Sequence, residues 1–166
     1  RFMRRFPTVK HLALAREDEL LRVWQGLGYY TRARNLQRAA QIIFDERNGA
    51  FPQTVEEWSQ IPGVGRYTAG AIASIALGIR APVLDGNVKR VLARLFSIRD
   101  ALENAQVRKR LWEMAGDLVP PKYPGDFNQA MMELGARICT PKRPLCTECP
   151  VRKVCEALEQ IGRAHV

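Results

Sequence analysis

With 166 residues, 46% of them hydrophobic and 26% charged, the chain can bury one good core or two small helical lobes. No apolar run reaches the length of a membrane span and no secretory apolar stretch opens the chain, so a cytoplasmic protein is expected rather than a membrane-bound or exported one. The 26 Lys and Arg against 17 Asp and Glu give a net charge of +9, which favours a polyanionic partner, because phosphate contacts release counterions from nucleic acid.

Taken in chain order, the apolar spacing is helical. Asp18 is expected to cap a helix carrying Leu20, Leu21, Val23, Trp24 and Leu27, halted at Gly26 and Gly28. Thr31 is expected to begin a second helix, with Ala33, Leu36, Ala39, Ala40 and Ile43 on one face, that ends near Asn48-Gly49. Thr54 and Glu57 have the spacing of a capping box. Residues 68–77 are rich in small and β-branched side chains and predict a helix buried on most sides. Further helices are predicted after Gly86 (Val88, Val91, Leu92, Leu95), over roughly 103–118, and through Phe127, Met131, Met132 and Leu134, with a proline-bearing loop at 119–125. No alternating strand pattern and no internal repeat is present, so the predicted fold class is all-α.

Three segments carry chemistry. Ile61-Pro62-Gly63-Val64-Gly65 lies between two predicted helices. Its glycines permit tight backbone conformations and close approaches, and the amides that open the next helix can converge on an anion such as a DNA phosphate. A simple turn is the plainer alternative, but Arg66 adds charge at the tip. Upstream, Trp24-Gln25-Gly26-Leu27-Gly28-Tyr29-Tyr30 precedes Arg32 and Arg34. Tyr29 suits either a core position or insertion between bases, with the arginines on phosphates. Val83-Leu84-Asp85-Gly86-Asn87-Val88-Lys89-Arg90 sets a carboxylate at a helix start, where it can cap, stabilise an oxocarbenium-like transition state, or do both.

The four cysteines, at 139, 146, 149 and 155, read C-x6-C-x2-C-x5-C among Pro141, Pro144 and Pro150. Clustered thiols without an export signal point to metal rather than disulfides, and four thiolates can hold a zinc ion or a [4Fe–4S] cluster. The metal reads as structural, and Lys142, Arg143, Arg152 and Lys153 could bring the loop near phosphates.

Together WQGLGYYTRARNL, IPGVGRYTAGAI, VLDGNVKRVLAR, FNQAMMELGA and the cysteine loop resemble the helix–hairpin–helix DNA glycosylase superfamily, and within it the adenine DNA glycosylases. The resemblance runs to about residue 160. It implies two helical lobes flanking a DNA-binding cleft: a partial six-helix-barrel lobe with the helix–hairpin–helix at 1–80, and a lobe with the catalytic aspartate and a [4Fe–4S] cluster at 81–160. It also implies removal of adenine opposite 8-oxoguanine or guanine in double-stranded DNA, by a monomeric, nucleoid-associated bacterial enzyme.

Position by position, Asp85 matches the family's catalytic aspartate, and Asn87 a polar residue that orients the site. Gly63, Val64 and Gly65 match the phosphate-gripping hairpin, Tyr29 the residue wedged into the duplex, and the four cysteines the cluster ligands. Arg32, Arg66 and Lys89 are expected on phosphates. At position 67, relatives of the endonuclease III type carry a lysine nucleophile; Tyr67 here implies hydrolysis without an efficient strand-nicking step. The alternatives are an endonuclease III-like glycosylase for oxidised pyrimidines and a non-catalytic DNA-binding module with structural zinc. The family's general-acid glutamate lies on a helix preceding Arg1, and none of Glu17, Glu19 or Glu46 has the matching context. Its domain that reads 8-oxoguanine would follow residue 160. The 166-residue chain alone is therefore expected to bind DNA weakly and to release little adenine. Residues 161–166 read as the translation of a sequencing-adapter string and are expected to lie outside the native fold.

Overall fold

The computed structural model describes residues 1–161, and among these there are helices and turns but no strands. The adapter-like tail lies outside the described residues, except for Ile161, which closes the last helix. No described helix is long and apolar enough to cross a membrane. The chain forms two compact units, residues 1–66 and the part from Tyr67 onward. This division differs from one at 80/81 by a segment that packs on a helix of the second unit.

In the first unit, α1 (Phe2–Arg5), α2 (Val9–Ala13), α3 (Glu17–Trp24) and α4 (Tyr30–Gln41) surround a core of Phe6, Leu12, Ala13, Leu20, Ala33 and Ala40, and α5 (Val55–Ser59) buries Trp58, whose ring lies 6.3 Å from that of Phe51. Helix α4 continues as a wider π-turn over Ile42–Glu46 and stops at Asn48 and Gly49, both at positive φ. The ring of Phe2 meets Phe6 and Trp24 edge-on, at centroid distances of 5.2 and 5.7 Å. Gln37 is buried, and its amide donates to the Ala15 carbonyl at 2.7 Å just past α2. Asp18 does not cap α3. Arg16 stands at the cap, and Glu17, Asp18 and Glu19 fill the first turn, where carboxylates favour the helix dipole. Asp18 instead pairs with Arg16 at 3.0 Å on the surface.

The capping box at α5 forms as predicted: the Glu57 amide donates to Thr54 Oγ1 at 3.1 Å. Its reciprocal arm reaches one residue further back, with the Gln53 amide donating to Glu57 Oε2 at 2.6 Å. That bond, joined by Arg47, holds the Glu57 carboxyl below the usual carboxylate range. A depressed carboxylate contributes stability above its unfolded pKa and loses it as the pH falls through the folded value. The destabilisation caused by Glu57→Gln, measured by denaturant titration, should therefore shrink from pH 7 to pH 3.

The second unit is built around α7 (Gly86–Leu95). Against it lie α8 (Ala105–Leu118), α9 (Pro124–Glu133) with its π-turn extension Leu134–Ile138, and α10 (Glu156–Ile161). Leu84, Val88, Leu92, Ala93, Ile98, Leu111 and Ala115 form the core. The small-residue segment becomes α6 (Arg66–Ala71) and a π-turn over Ile72–Ala76; Ala69, Ala73 and Ser74 are buried, whereas Ile75 is exposed. This π-turn packs on α9, clamped by Asn128, whose amide donates to Ser74 Oγ at 2.9 Å and to the Ala81 carbonyl at 2.8 Å. The approach is so close that a Cβ on Gly125 would lie 2.7 Å from the Ser74 carbonyl oxygen and 2.8 Å from Ile75 Cα. Both obstacles are backbone. Gly125→Ala should destabilise the protein by about 1–3 kcal/mol, read as a lower denaturation midpoint; an unchanged midpoint would refute the packing account.

Candidate functional site

In the first unit, α3 and α4 are joined by a turn that the two glycines bend: Gly26 and Gly28 have φ of 90° and 65°. The indole N–H of Trp24 donates to the Gly28 carbonyl at 2.9 Å and pins the turn to the core. Tyr29 then takes a left-handed conformation (φ 47°, ψ 56°) and is 80% exposed, so it is not a core residue. For a bulky side chain this backbone is costly. Leu27 and Tyr30 are exposed beside it, and the Arg32 guanidinium sits 6.0 Å from the centre of the Trp24 ring. Arg34 turns back to Glu17 at 2.7 Å, and Glu19 pairs with Arg5. Two of the three glutamates considered above are thus engaged in ion pairs.

The second turn of this unit is Ile61–Gly65, closed by the Val64 amide donating to the Ile61 carbonyl at 3.0 Å. Gly63 carries φ 81°, and a Cβ there would strike Asn35 of α4 at 2.5 Å. Gly65 has ordinary φ and faces open space, so an incoming group can reach its backbone. Arg66, exposed, opens α6. Asn35 gives no sequence signal, because only tertiary packing brings α4 against the hairpin.

In the second unit Asp85 is the N-cap of α7: its Oδ1 accepts from the Val88 amide at 2.7 Å and its Oδ2 from the Asn87 side-chain amide at 3.0 Å. Both carboxylate oxygens are thus fixed by donors that leave lone pairs over. Asn87 Oδ1 accepts from Arg90 at 2.9 Å, and Arg90 also donates to the carbonyls of Gly135 (2.7 Å) and Cys139 (2.8 Å). A continuous bonded path therefore runs from Asp85 through Asn87 and Arg90 to the first cysteine. Gly135 makes it possible, since a Cβ there would lie 2.6 Å from Asn87 Cβ. One turn earlier on α9, the Met132 sulfur receives the Tyr67 hydroxyl at 3.7 Å. Tyr67 and Asn87 thus both rest on the C-terminal half of α9. Lys89 is half-buried, with its amide on the Asp85 carbonyl at 2.9 Å.

The four cysteines are free thiols, all half-buried, on a loop with short 3₁₀ turns at Cys146–Glu148 and Arg152–Val154. All four line one apolar-walled pocket, with Ile138 and Leu158. Burial pushes the Cys149 thiol up, and the other three cysteines push it further. Among the described residues no three His, Cys, Asp or Glu side chains converge as ligands of a single ion; the sulfurs border a space instead. Lys142, Arg143, Arg152 and Lys153 are exposed on the same loop. Arg90 and Arg94, four residues apart on α7, went unnoticed in the sequence as loop partners; that spacing is their only local signal.

The family of the chain follows from a match of residues 1–116 to the HhH-GPD superfamily of base excision DNA repair proteins, to which the chain belongs. Across its whole length it is 49% identical to a rat adenine DNA glycosylase, and over 99% of its length 50% identical to the human one. It is also 44% identical, over 95% of its length, to an adenine DNA glycosylase of the bacterium Buchnera aphidicola. It spans 32%, 30% and 45% of those three proteins. Among solved structures, a thermostable thymine-DNA glycosylase superposes with a TM-score of 0.84 at 31% identity, covering 95% of this chain and 73% of that one. A trapped endonuclease III–DNA covalent intermediate gives 0.80 at 26% identity, covering 98% and 75%.

The hairpin geometry makes a separable prediction. Gly63→Ala incurs both the left-handed backbone and the clash with Asn35, and should cost roughly 1–3 kcal/mol. Adding Asn35→Ala removes the Nδ2 and Cγ contacts but keeps the Asn35 Cβ at 2.8 Å, so it should recover part of the clash and leave the backbone cost, and a double-mutant cycle by chemical denaturation should give a non-zero coupling.

Proposed function

We propose that the chain is the core of a monofunctional adenine DNA glycosylase, which hydrolyses the N-glycosidic bond of adenine paired with 8-oxoguanine or guanine. The observation that carries this is the Asp85 carboxylate, held at the head of α7 by two donors, in a chain that is 40–50% identical to eight adenine DNA glycosylases. Double-stranded DNA is the partner. The Gly63–Val64–Gly65 turn and Arg66 take backbone phosphate, and Arg32 and Lys89 add charge. Tyr29, exposed and fixed in its backbone, stacks among bases where the duplex is opened.

The adenine must leave the stack, which costs a few kcal/mol. Protonation of the purine ring lets it depart as a neutral base with the bonding electrons, while positive charge grows on the sugar. Asp85 stabilises that charge; Asn87 and the Val88 amide keep its carboxylate oriented as the charge appears. Water then adds to the sugar carbon and loses its proton. Tyr67 offers a hydroxyl, not an amine, so no Schiff base forms there and the strand stays intact. This separates the chain from an endonuclease III type of reaction.

Cys139, Cys146, Cys149 and Cys155 would hold a [4Fe–4S] cluster. Four sulfurs on one apolar-lined pocket present the all-thiolate donor set that such a cluster takes. Such a cluster supplies cross-linking of the loop. Metal analysis tests this: four irons with matching sulfide and broad visible absorbance are expected, whereas one zinc in a colourless protein would favour the non-catalytic module.

Asp85→Asn in the full-length protein is the decisive variant, because asparagine still caps a helix but carries no charge. Adenine release from an A:8-oxoguanine duplex should fall at least about a hundredfold with the melting temperature nearly unchanged. Intact turnover would reduce Asp85 to a cap, and borohydride trapping on abasic DNA would restore the endonuclease III reading. Tyr29→Ala should weaken duplex binding by about 1–3 kcal/mol in fluorescence anisotropy, without altering the salt dependence.

A further inference from the structure

The largest fully buried side chain is a charged one. Arg94, in the last turn of α7, is 1% exposed, and among the described residues no carboxylate pairs with it. Its guanidinium reaches only neutral groups: the carbonyls of Thr140 (2.8 Å), Pro141 (3.0 Å) and Cys139 (3.3 Å), and the Cys139 sulfur at 3.3 Å. Its Nε is buried without a partner. Its own carbonyl receives the Cys155 thiol at 3.7 Å.

One residue therefore grips the first and last cysteines of the loop. A guanidinium withdrawn from water cannot be offset by carbonyl dipoles alone; burial of a charge is tolerated when an opposite charge meets it. The adjoining pocket is where such a charge can sit, since four metal-bound thiolates carry a net negative charge even after the metal is counted.

We propose that Arg94 is a positioning residue that supplies the built-in counter-charge for the anionic metal–thiolate group of the cysteine loop, and that its fork pre-forms the 139–141 arm to receive it. The planar fork is what lets one side chain hold three successive carbonyls and a sulfur, which a lysine cannot do. This rests on the cluster reading given above. It adds that α7 helps hold the group through charge as well as shape, and that this charge sets the group's electron affinity, because hydrogen bonds to the sulfurs and nearby charge tune such centres.

The test uses the full-length protein purified with its metal. Iron and sulfide are first measured in the unaltered protein, where absence of iron sinks the cluster reading whatever Arg94 does. Arg94→Met and Arg94→Lys are then compared by loss of visible absorbance under excess iron chelator and by one-electron voltammetry. Arg94→Met should lose its cluster at least tenfold faster and show a lower reduction potential, since removing a positive charge disfavours the added electron. Arg94→Lys should also lose the cluster faster, for want of the fork, but keep a potential near that of the parent. A residue that merely braced the loop would leave the potential of the loaded variants unmoved. Parent-like potential and decay in Arg94→Met overturn the proposal, as does a potential in Arg94→Lys as low as in Arg94→Met. If Arg94→Met yields no folded protein, Arg94→Lys decides alone: a kept potential supports the counter-charge and a lowered one refutes it.

Discussion

Helix α7 is tied at both ends to groups it must hold in place, and the second unit is organised by that constraint. At its head, Asp85 uses one carboxylate oxygen on the Val88 amide and the other on Asn87. Through its middle and last turns, Arg90 and Arg94 donate to the main chain that bears Cys139. The helix can do this because its other face is apolar: Val88, Leu92 and Ala93 bury against Leu111 and Ala115 of α8. A helix so anchored cannot slide or rotate without breaking charge-assisted bonds at one end or apolar contacts along its side. The carboxylate and the cysteine loop are therefore parts of one rigid assembly.

α9 serves this assembly by being thin where the others approach. Gly125 admits the Ser74 carbonyl, and Gly135 admits Asn87. Between them, Met132 receives the Tyr67 hydroxyl and Asn128 clamps the π-turn after α6. Each contact is local and modest, yet together they fix Tyr67 and Asn87 relative to one helix. The first unit differs in leaving an aromatic and a backbone turn exposed while keeping its own core closed. Trp24 lies against the core and spends its N–H on the Gly28 carbonyl, which leaves Tyr29 strained and outside. Gly63 folds the hairpin onto Asn35 and Gly65 leaves it open.

Much of this was legible in the sequence, for identifiable reasons. Helix periodicity is strong in α4, α7 and α8 because each has one buried face, so the all-helical class and most boundaries were readable. The Thr54–Glu57 box was readable because capping involves neighbours in sequence. Asp18 is not the cap because the helix already begins at Glu17, which puts Asp18 inside the first turn. Tyr29 was undecided between core and surface since an aromatic after two glycines suits both, and only the positive φ at 26, 28 and 29 turned it outward.

The sequence by itself determined the helices from α3 to α9, the cysteine spacing, the two glycine turns and the placement of Asp85 at a helix start, because each depends on residues within a turn or two of one another. Tertiary structure alone decided what those elements are held by. Arg90 and Arg94 meet carbonyls more than forty positions away, Asn128 meets Ser74 across a gap of 54, and Tyr67 meets Met132 across 65. Such pairs leave no period in the chain. They exist because burying a polar group or a charge demands a partner, and the partner is found wherever the packed helices bring one within reach.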